Sequence, residues 1–228
     1  SGTITVTLPQ YDSVGIYEYT LIEKAGTTAG VAYYGDAIKL VVTVINGDDG
    51  KLRVAAVHTE SEGADKSDTF ENTYSAGTLK ISKTVTGNMG DKNKYFEFTV
   101  LLSGRSGMTY PETFAVSGGS YAQNPKTIKL SEETTFMLKH GDTISIANLP
   151  YDVDYMVIET AADGYTTTST NETGRISAAE QTAAFTNVKN SAVDTGVMLD
   201  SLPYVLILAA VLGGAAAMVV RRRRGAED

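Results

Sequence analysis

The stretch LKISKTVTG, residues 79–87, decides the fold of the larger part of this 228-residue chain. Its apolar and polar side chains alternate, which is typical of a β-strand with one buried face. Side chains two residues apart lie on the same face of a strand, so Lys83 shares the face of Ile81 and Val85. The alternation therefore predicts that Lys83 points into an apolar core. It leaves open an alternative in which the Lys83 stem follows the core and its amine stays in water.

Short alternating stretches continue to residue 188 and form a group of predicted strands. After residues 79–85 these strands cover residues 95–102, 113–116, 127–130, 134–138, 143–146, 153–159, 165–168 and 182–188. Many short strands separated by Gly and Asn turns indicate an antiparallel sandwich and not a parallel α/β sheet. We therefore predict an all-β domain over residues 77–190.

Residues 1–75 alternate in the same way and form a first predicted domain. Strands are predicted at residues 4–8, 17–21, 40–44, 54–57 and 69–74. The turn NGDDG, residues 46–50, supplies the positive-φ positions that a hairpin needs. Its acids lack the remaining ligands of a calcium loop, so we expect a solvated turn and no metal site. The small residues 75–77 are predicted to join the two domains.

An acid that ends an alternating strand, and an Asn two residues after a Phe, recur in both predicted domains. These pairs are Glu23 with Asn72 and Glu159 with Asn187. Only the second domain adds a predicted buried lysine, Lys83. Burial lowers the pKa of a lysine and raises the pKa of a glutamate, so a neutral amine can attack an Asn carboxamide while a protonated Glu handles the protons. The product would be a Lys–Asn isopeptide bond, and the alternative is an ordinary polar cluster.

The motifs around these residues resemble domains of Gram-positive surface proteins. Residues 79–87, YMVIE at 155–159 and FTN at 185–187 resemble the first, acid and last strands of collagen-adhesin B-type and streptococcal major-pilin domains. YEYTLIEKAG at 17–26 and FENTY at 70–74 resemble the pilin isopeptide-linkage domain. The resemblance implies tandem reverse immunoglobulin-like sandwiches. It also implies that Lys83, Glu159 and Asn187 form an isopeptide bond autocatalytically.

The first domain departs from this pattern, because no lysine precedes Lys24 in the chain. The strand that would carry the amine is missing ahead of Glu23, so we expect a truncated sandwich with an incomplete site at Glu23 and Asn72. The chain opens at Ser1 without a leader sequence, and we interpret it as a fragment of a longer exported protein.

An uncharged apolar run covers residues 202–220, and four arginines follow it at residues 221–224. At about 1.5 Å per residue the run gives roughly 28 Å of helix, close to the ~30 Å hydrocarbon core of a bilayer. Dense positive charge beside a span marks the cytoplasmic side. We therefore predict one transmembrane helix, a cytoplasmic tail over residues 221–228, and an N-terminal part that faces outward.

The order of Thr-Gly, apolar run and basic tail resembles the cell-wall sorting signal of Gram-positive surface proteins. The resemblance implies that sortase, a membrane transpeptidase, cuts between Thr195 and Gly196, within the motif and spacer of residues 191–201. Sortase would then join the Thr195 carbonyl to an amine of the peptidoglycan or of a neighbouring pilin. The tripeptide AVD at 192–194 stands where the usual signal has Leu, Pro and a variable residue.

Composition narrows the function classes. The chain has no Cys, so no disulfide staples this exported protein and another cross-link becomes valuable. The net charge of −8 opposes binding to nucleic-acid phosphates. His58 and His140 have no Cys, Ser or acid set beside them in the sequence. We therefore expect solvated histidines, no cofactor, and no enzyme that turns over an external substrate.

These features predict a structural protein of the Gram-positive cell surface, a pilin or stalk subunit whose sandwiches bear tension. A membrane-inserted intermediate would precede anchoring to the cell wall by sortase. The alternative is an adhesin that binds a host ligand directly, which would need an exposed aromatic or apolar patch. The tripeptide YPE at 110–112 has Glu where a pilin motif would carry its donor lysine.

Overall fold

The computed structural model describes residues 2–61 and 69–192 of the chain. These residues form fifteen β-strands and no helix, which confirms the all-β prediction for the part of the chain that they cover. The strands are β1 Gly15–Leu21, β2 Val31–Ala32, β3 Ile38–Asn46, β4 Leu52–Ser61, β5 Thr73–Tyr74, β6 Ala76–Thr86, β7 Phe96–Ser103, β8 Phe114–Gly118, β9 Thr127–Ile128, β10 Thr134–Leu138, β11 Thr143–Pro150, β12 Asp154–Glu159, β13 Thr166–Thr170, β14 Thr173–Arg175 and β15 Glu180–Val188.

Strands β6 to β15 form two sheets that pack face to face, and we call them the C-terminal sandwich. The larger sheet has the order β13-β15-β6-β11-β8-β9 and the smaller has the order β10-β7-β12-β14. Inward side chains of both sheets meet in one apolar cluster, where the Phe98 and Phe185 ring centroids lie 5.1 Å apart. The first strand, β6, and the last, β15, are parallel neighbours in the larger sheet. The two ends of the sandwich sequence therefore meet in one ladder.

Alternation explains why these residues form strands. In β6 every second side chain from Leu79 to Val85 is buried, and the intervening ones are partly or fully exposed. Burying one large apolar side chain contributes about 1.5–3 kcal/mol, so each strand is held by the face it buries. Each strand predicted between residues 79 and 188 is present. The structure adds β14, whose three residues are all exposed.

Strand β10 forms one edge of the smaller sheet, where the side chain of Asn124 covers part of its backbone. Asn124 is 5% exposed. Its Nδ2 donates to the Met137 carbonyl at 3.0 Å, and its Oδ1 accepts from the Met137 N–H at 2.8 Å. The carboxamide thus makes the two hydrogen bonds that a further strand would make at Met137.

Strands β1, β3 and β4 form an antiparallel sheet, which we call the N-terminal sheet. Its β3 strand buries Leu40, Val42 and Val44. The predicted turn joins β3 to β4, with the Gly47 N–H donating to the Lys51 carbonyl at 2.7 Å. Gly50 has a φ of 73°, a left-handed conformation that glycine adopts without a steric cost. The hairpin prediction is therefore confirmed.

Two strand predictions in this region are wrong. Residues 2–14 contain no strand, although Ile4, Val6 and Leu8 alternate. Leu8 packs against the N-terminal sheet, whereas Ile4 is 69% exposed. A strand needs a neighbour for its backbone hydrogen bonds, and no strand of the described chain pairs with this segment. The strand predicted at residues 69–74 is limited to β5, Thr73–Tyr74.

The predicted joint at residues 75–77 is shorter than expected, because β6 begins at Ala76 and only Ser75 separates it from β5. The Ser75 N–H donates to the Gly30 carbonyl at 2.8 Å, and the Ser75 carbonyl accepts from the Tyr151 N–H at 3.0 Å. These two backbone hydrogen bonds hold Ser75 in place between β5 and β6. The described residues up to Lys189 form one compact unit.

The predicted transmembrane helix, the Thr195–Gly196 bond and the basic tail lie outside the described residues. Within residues 2–61 and 69–192, no helix has the length and apolar character needed to cross a bilayer.

Candidate functional site

Lys83 lies in β6, and its side chain points into the core of the C-terminal sandwich. The side chain has 0% exposed area. Its Nζ lies 4.3 Å from the ring centroid of Phe96 and 5.6 Å from that of Phe98. Ile81 and Val85, on the same face of β6, are fully buried as well. The amine is therefore enclosed by aromatic rings and does not reach water.

Two polar side chains from other strands meet this amine. Glu159 ends β12, and each of its carboxylate oxygens lies 2.7 Å from Lys83 Nζ. Asn187, on β15, donates from Nδ2 to Glu159 Oε1 at 2.5 Å. The Glu159 side chain is 2% exposed and Asn187 is 0% exposed. The structure thus brings together three of the predicted site residues, from three strands, around one buried carboxylate.

Lys83 and Asn187 lie on neighbouring parallel strands. In the β6–β15 ladder, Phe185 is opposite Lys83 and Asn187 is opposite Val85, so Lys83 and Asn187 are diagonal neighbours. Both donate to Glu159 Oε1, so Nζ and Nδ2 are separated by no more than two hydrogen-bond lengths. Asn187 Oδ1 is buried and has no hydrogen-bond partner among the described residues. A buried acceptor without a donor costs free energy, so its presence in a folded protein calls for an explanation. A chemical role for the group is one such explanation.

Two effects act in opposite directions on the pKa of the Lys83 amine. Burial lowers the pKa of the Lys83 amine from its ordinary value of 10.5, while the hydrogen bond and the charge of Glu159 act in the opposite direction. Taking an ammonium and a carboxylate out of water costs several kcal/mol per ion. A proton that moves along the hydrogen bond from Nζ to Glu159 removes both charges. Burial in this site therefore favours the neutral form of the Lys83 amine more than water would.

The predicted incomplete site of the N-terminal region also assembles in part. Asn72 Nδ2 donates to Glu23 Oε1 at 2.8 Å, and Asn72 Oδ1 accepts from the Tyr34 N–H at 2.7 Å. Glu23 Oε2 is buried and has no hydrogen-bond partner in the described part of the chain. In the C-terminal sandwich, both oxygens of Glu159 contact an amine. Glu23 and Asn72 therefore repeat the Glu159–Asn187 pair without the lysine.

The two histidines take no part in either group. His58 Nε2 lies 3.0 Å from Glu60 Oε1 on the N-terminal sheet. His140 is half-buried, and its Nδ1 accepts from the Val85 N–H at 3.0 Å. The prediction of a solvated position is therefore wrong for His140, because its ring replaces a missing backbone acceptor. The described residues include no group of three His, Cys, Asp or Glu side chains that could hold a metal ion.

The aromatic enclosure of the amine includes residues that were not predicted to belong to the site. The Tyr165 ring meets the Phe96 ring edge to face, with centroids 5.2 Å apart. Lys94 Nζ lies 5.7 Å from the centroid of each of these rings. The alternation of residues 96–100 predicts that Phe96 faces the core. Its contact with Lys83 depends on how the two sheets pack, which local sequence does not encode.

Two families match consecutive parts of the chain. Residues 3–75 match the family described as "Spy0128-like isopeptide containing domain". Residues 77–189 match the family described as "Domain of unknown function (DUF7601)". Each match covers less than half of the 228 residues.

Two streptococcal proteins are similar in sequence. A pilin of Streptococcus pyogenes serotype M1 is 26% identical over 225 residues, which cover 89% of this chain and 66% of the pilin. The pilus tip adhesin Cpa of Streptococcus pyogenes is 32% identical over 130 residues, which cover 54% of this chain and 18% of the adhesin. The chain thus spans just under two thirds of the pilin's length and a small part of the adhesin's.

Crystal structures of pilins share this fold. The major pilin from Streptococcus pyogenes superposes with a TM-score of 0.60 at 24% identity, over 79% of this chain and 72% of that chain. The major pilin T-13 from Streptococcus pyogenes gives a TM-score of 0.53 at 26% identity, over 78% of this chain and 69% of that chain. The arrangement of strands is therefore one that streptococcal pilins have.

Proposed function

We propose that Lys83 and Asn187 form an isopeptide bond, with Glu159 as the acid and base of the reaction. A proton first moves from Nζ to Glu159, and the Asn187 carboxamide turns so that its unpartnered oxygen accepts a hydrogen bond from the protonated acid. Nζ then attacks Asn187 Cγ, and the Cγ–Nδ2 bond breaks. The two protons that Nζ loses pass by way of Glu159 to the leaving nitrogen, which departs as ammonium. Glu159 ends as a carboxylate.

The proposal is carried by one observation, the shared contact of Nζ and Nδ2 with Glu159 Oε1, among three side chains that are each at most 2% exposed. A buried ion pair is at best roughly neutral for stability, so folding alone does not explain a Lys–Glu–Asn trio in this core. Reactants held in contact reach effective molarities of about 10⁵ M or more. Such proximity lets a weak electrophile like a carboxamide react without an external catalyst.

In this proposal the chain serves as a pilin or stalk subunit at the surface of a Gram-positive bacterium. Its similarity to the Streptococcus pyogenes pilin supports that function. The bond would tie β6 to β15, the strands through which tension enters and leaves the C-terminal sandwich. Sortase would cut between Thr195 and Gly196 and join Thr195 to peptidoglycan or to a neighbouring pilin. Residues 202–220 would hold the chain in the membrane before that step.

The Glu23–Asn72 pair is proposed as a second, incomplete site of the same chemistry. Glu23 Oε2 lacks the partner that Lys83 provides to Glu159. Glu23 itself lines a cleft of 330 Å³, whose other lining residues are mostly apolar and include Leu21 and Phe70. An extended segment that fills this cleft and carries a lysine would complete the trio.

The second candidate function is that of an adhesin with a host ligand as its partner. The similarity to the pilus tip adhesin Cpa favours this candidate over an enzyme. Ile4, Ile16 and Ile22 are each 69% exposed and offer apolar surface in the N-terminal region. We prefer the structural function, because the similarity to the pilin covers 89% of the chain and the similarity to the adhesin covers 54%.

The intact mass of the folded chain tests the bond. A soluble chain that ends before the predicted span should be lighter than its sequence mass by one ammonia. Lys83→Ala, Glu159→Ala and Asn187→Ala should each keep the full sequence mass. Asn124→Ala is the matched control, because it removes a buried Asn outside the site and should still lose ammonia. A wild-type mass equal to the sequence mass would overturn the proposal.

A further inference from the structure

A surface cleft shares one residue, Phe96, with the surroundings of the Lys83 amine. The cleft has a volume of 340 Å³, and Lys94, Phe96 and Thr160 are among the residues that line it. At about 30 Å³ per molecule, it has room for several waters. Phe96 contributes to the cleft wall although it is only 2% exposed, and its ring centroid lies 4.3 Å from Lys83 Nζ. Thr160 directly follows the site acid Glu159 in the chain. Phe96 therefore both borders this water-sized space and covers the amine with its ring.

An outer layer of side chains braces the Phe96 ring. The Tyr165 ring lies at 89° to it, and the Tyr165 hydroxyl accepts from the Asp91 N–H at 2.9 Å. Lys94 Nζ lies 5.7 Å from both ring centroids, and Lys189 Nζ lies 5.2 Å from the Tyr165 centroid. These contacts hold the two aromatic rings in place. Displacement of the Phe96 ring would uncover the amine on the side that this ring covers.

A carboxamide polarised by a protonated acid can react with two nucleophiles. Attack by Lys83 Nζ gives the isopeptide bond and releases ammonia. Attack by the oxygen of a water molecule breaks the same Cγ–Nδ2 bond, also releases ammonia, and leaves an aspartate at position 187. Water beside the amine would also hydrate the ammonium form of Lys83 and make the amine a poorer nucleophile. The outcome of the reaction thus depends on keeping water out until the bond has formed.

We propose that Phe96 determines the specificity of this reaction by keeping water away from Asn187 and holding the Lys83 amine in a dry site. This inference rests on the proposed isopeptide bond. The role of Phe96 differs from that of an ordinary core residue, because an ordinary core residue contributes to stability and does not change which product forms.

The test compares Phe96→Ala with Phe114→Ala in the soluble chain. Phe114 is the matched control, because it is also a core phenylalanine with 2% exposure but does not line the cleft. Chains are diluted from denaturant and followed by intact mass, which separates three species. The bonded chain lacks one ammonia, the unreacted chain keeps the sequence mass, and the hydrolysed chain is one mass unit heavier than the sequence. In ¹⁸O-labelled water the hydrolysed species also carries the label.

Wild type and Phe114→Ala should give only the bonded chain. Because a misplacement of about 1 Å costs on the order of 10²-fold in rate, Phe96→Ala should form the bond on the order of 100-fold more slowly. It should also accumulate labelled hydrolysed product. Adding Glu159→Ala to Phe96→Ala should abolish that product, which separates hydrolysis in the site from ordinary deamidation of an asparagine.

Two milder variants keep the inference testable if Phe96→Ala does not fold. Phe96→Leu keeps most of the apolar volume, and Tyr165→Ala removes the outer brace, so both should give intermediate amounts of hydrolysed product. Wild-type rates without hydrolysis in folded Phe96→Ala, or in both milder variants, would overturn the inference. A wild type that keeps its full sequence mass would instead overturn the isopeptide proposal itself.

Discussion

Asn187→Ala should turn the C-terminal sandwich from inextensible to extensible under force. Tension enters this sandwich at Ala76, where β6 begins, and leaves it at Val188, where β15 ends. Because β6 and β15 are parallel neighbours, these two points load the shared ladder in shear. With Lys83 bonded to Asn187, tension crosses directly from one strand to the other. Without the bond, the chain between them is free to unravel.

The expected difference in length is large. Roughly 100 residues lie between Lys83 and Asn187, and an extended chain spans about 3.3–3.6 Å per residue, so Asn187→Ala should release roughly 350 Å. The wild type can release only the few residues of β6 before Lys83 and those after Asn187. That release is on the order of 30 Å.

Single-molecule pulling, with the soluble chain held between two reference domains, measures this difference. Asn187→Ala should show an unfolding step of roughly 350 Å that the wild type lacks. Asn124→Ala keeps the site and should behave as the wild type does, apart from a lower stability. The N-terminal sheet contributes its own shorter step in every variant and serves as an internal reference. A wild type that releases the full length would refute the proposed tie.

Three further outcomes are expected. Lys83→Ala and Asn187→Ala should both melt below the wild type by circular dichroism, because closing a loop of roughly 100 residues contributes about 4.7 kcal/mol. Lys83→Ala should melt lowest, since it also leaves a buried carboxylate without its cation at a cost of about 3–5 kcal/mol, and equal melting temperatures would contradict this. Thr195→Ala should remain in the membrane fraction, and its normal recovery in the muramidase-released wall fraction would exclude the sorting proposal. Limited proteolysis should cut residues 2–61 before residues 76–189, because the N-terminal sheet leaves its edge strand β4 open; equal resistance would show that the two parts are equally stable.

The strands of the C-terminal sandwich were predictable because most of them bury one face. In β6 the alternation persists across the whole strand and includes Lys83, which sits in the register of apolar residues. Strand β14 was missed because its three residues are all exposed and show no alternation. Residues 4–8 alternate equally well but form no strand, since a strand also requires a neighbour with free backbone groups. That neighbour is a property of the whole fold and not of the local sequence.

The members of the candidate site could be identified from the sequence, but their geometry could not. The alternation of apolar residues places Lys83, Glu159 and Asn187 each at a position where an apolar residue is expected. Their contact with one another depends on pairings between distant strands, such as Asn187 opposite Val85 and Glu159 opposite Phe98. The shared Oε1 contact follows from those pairings. No local pattern near any of the three residues predicts it.

The Asn124 side chain that covers the edge strand β10 matters where many copies of the chain are crowded together. In the proposed pilin function, identical chains stand side by side on a cell surface at a high local concentration, where the open edge of one sheet can pair with the edge of another. Asn124 fills the donor and the acceptor of Met137 at that edge. A strand from a second copy that paired with β10 would itself present a free edge, to which a third copy could pair. The Asn124 carboxamide presents no such edge, so the pairing does not continue. In the proposed pilin function, chains that sortase joins end to end would therefore not also associate sideways along this edge.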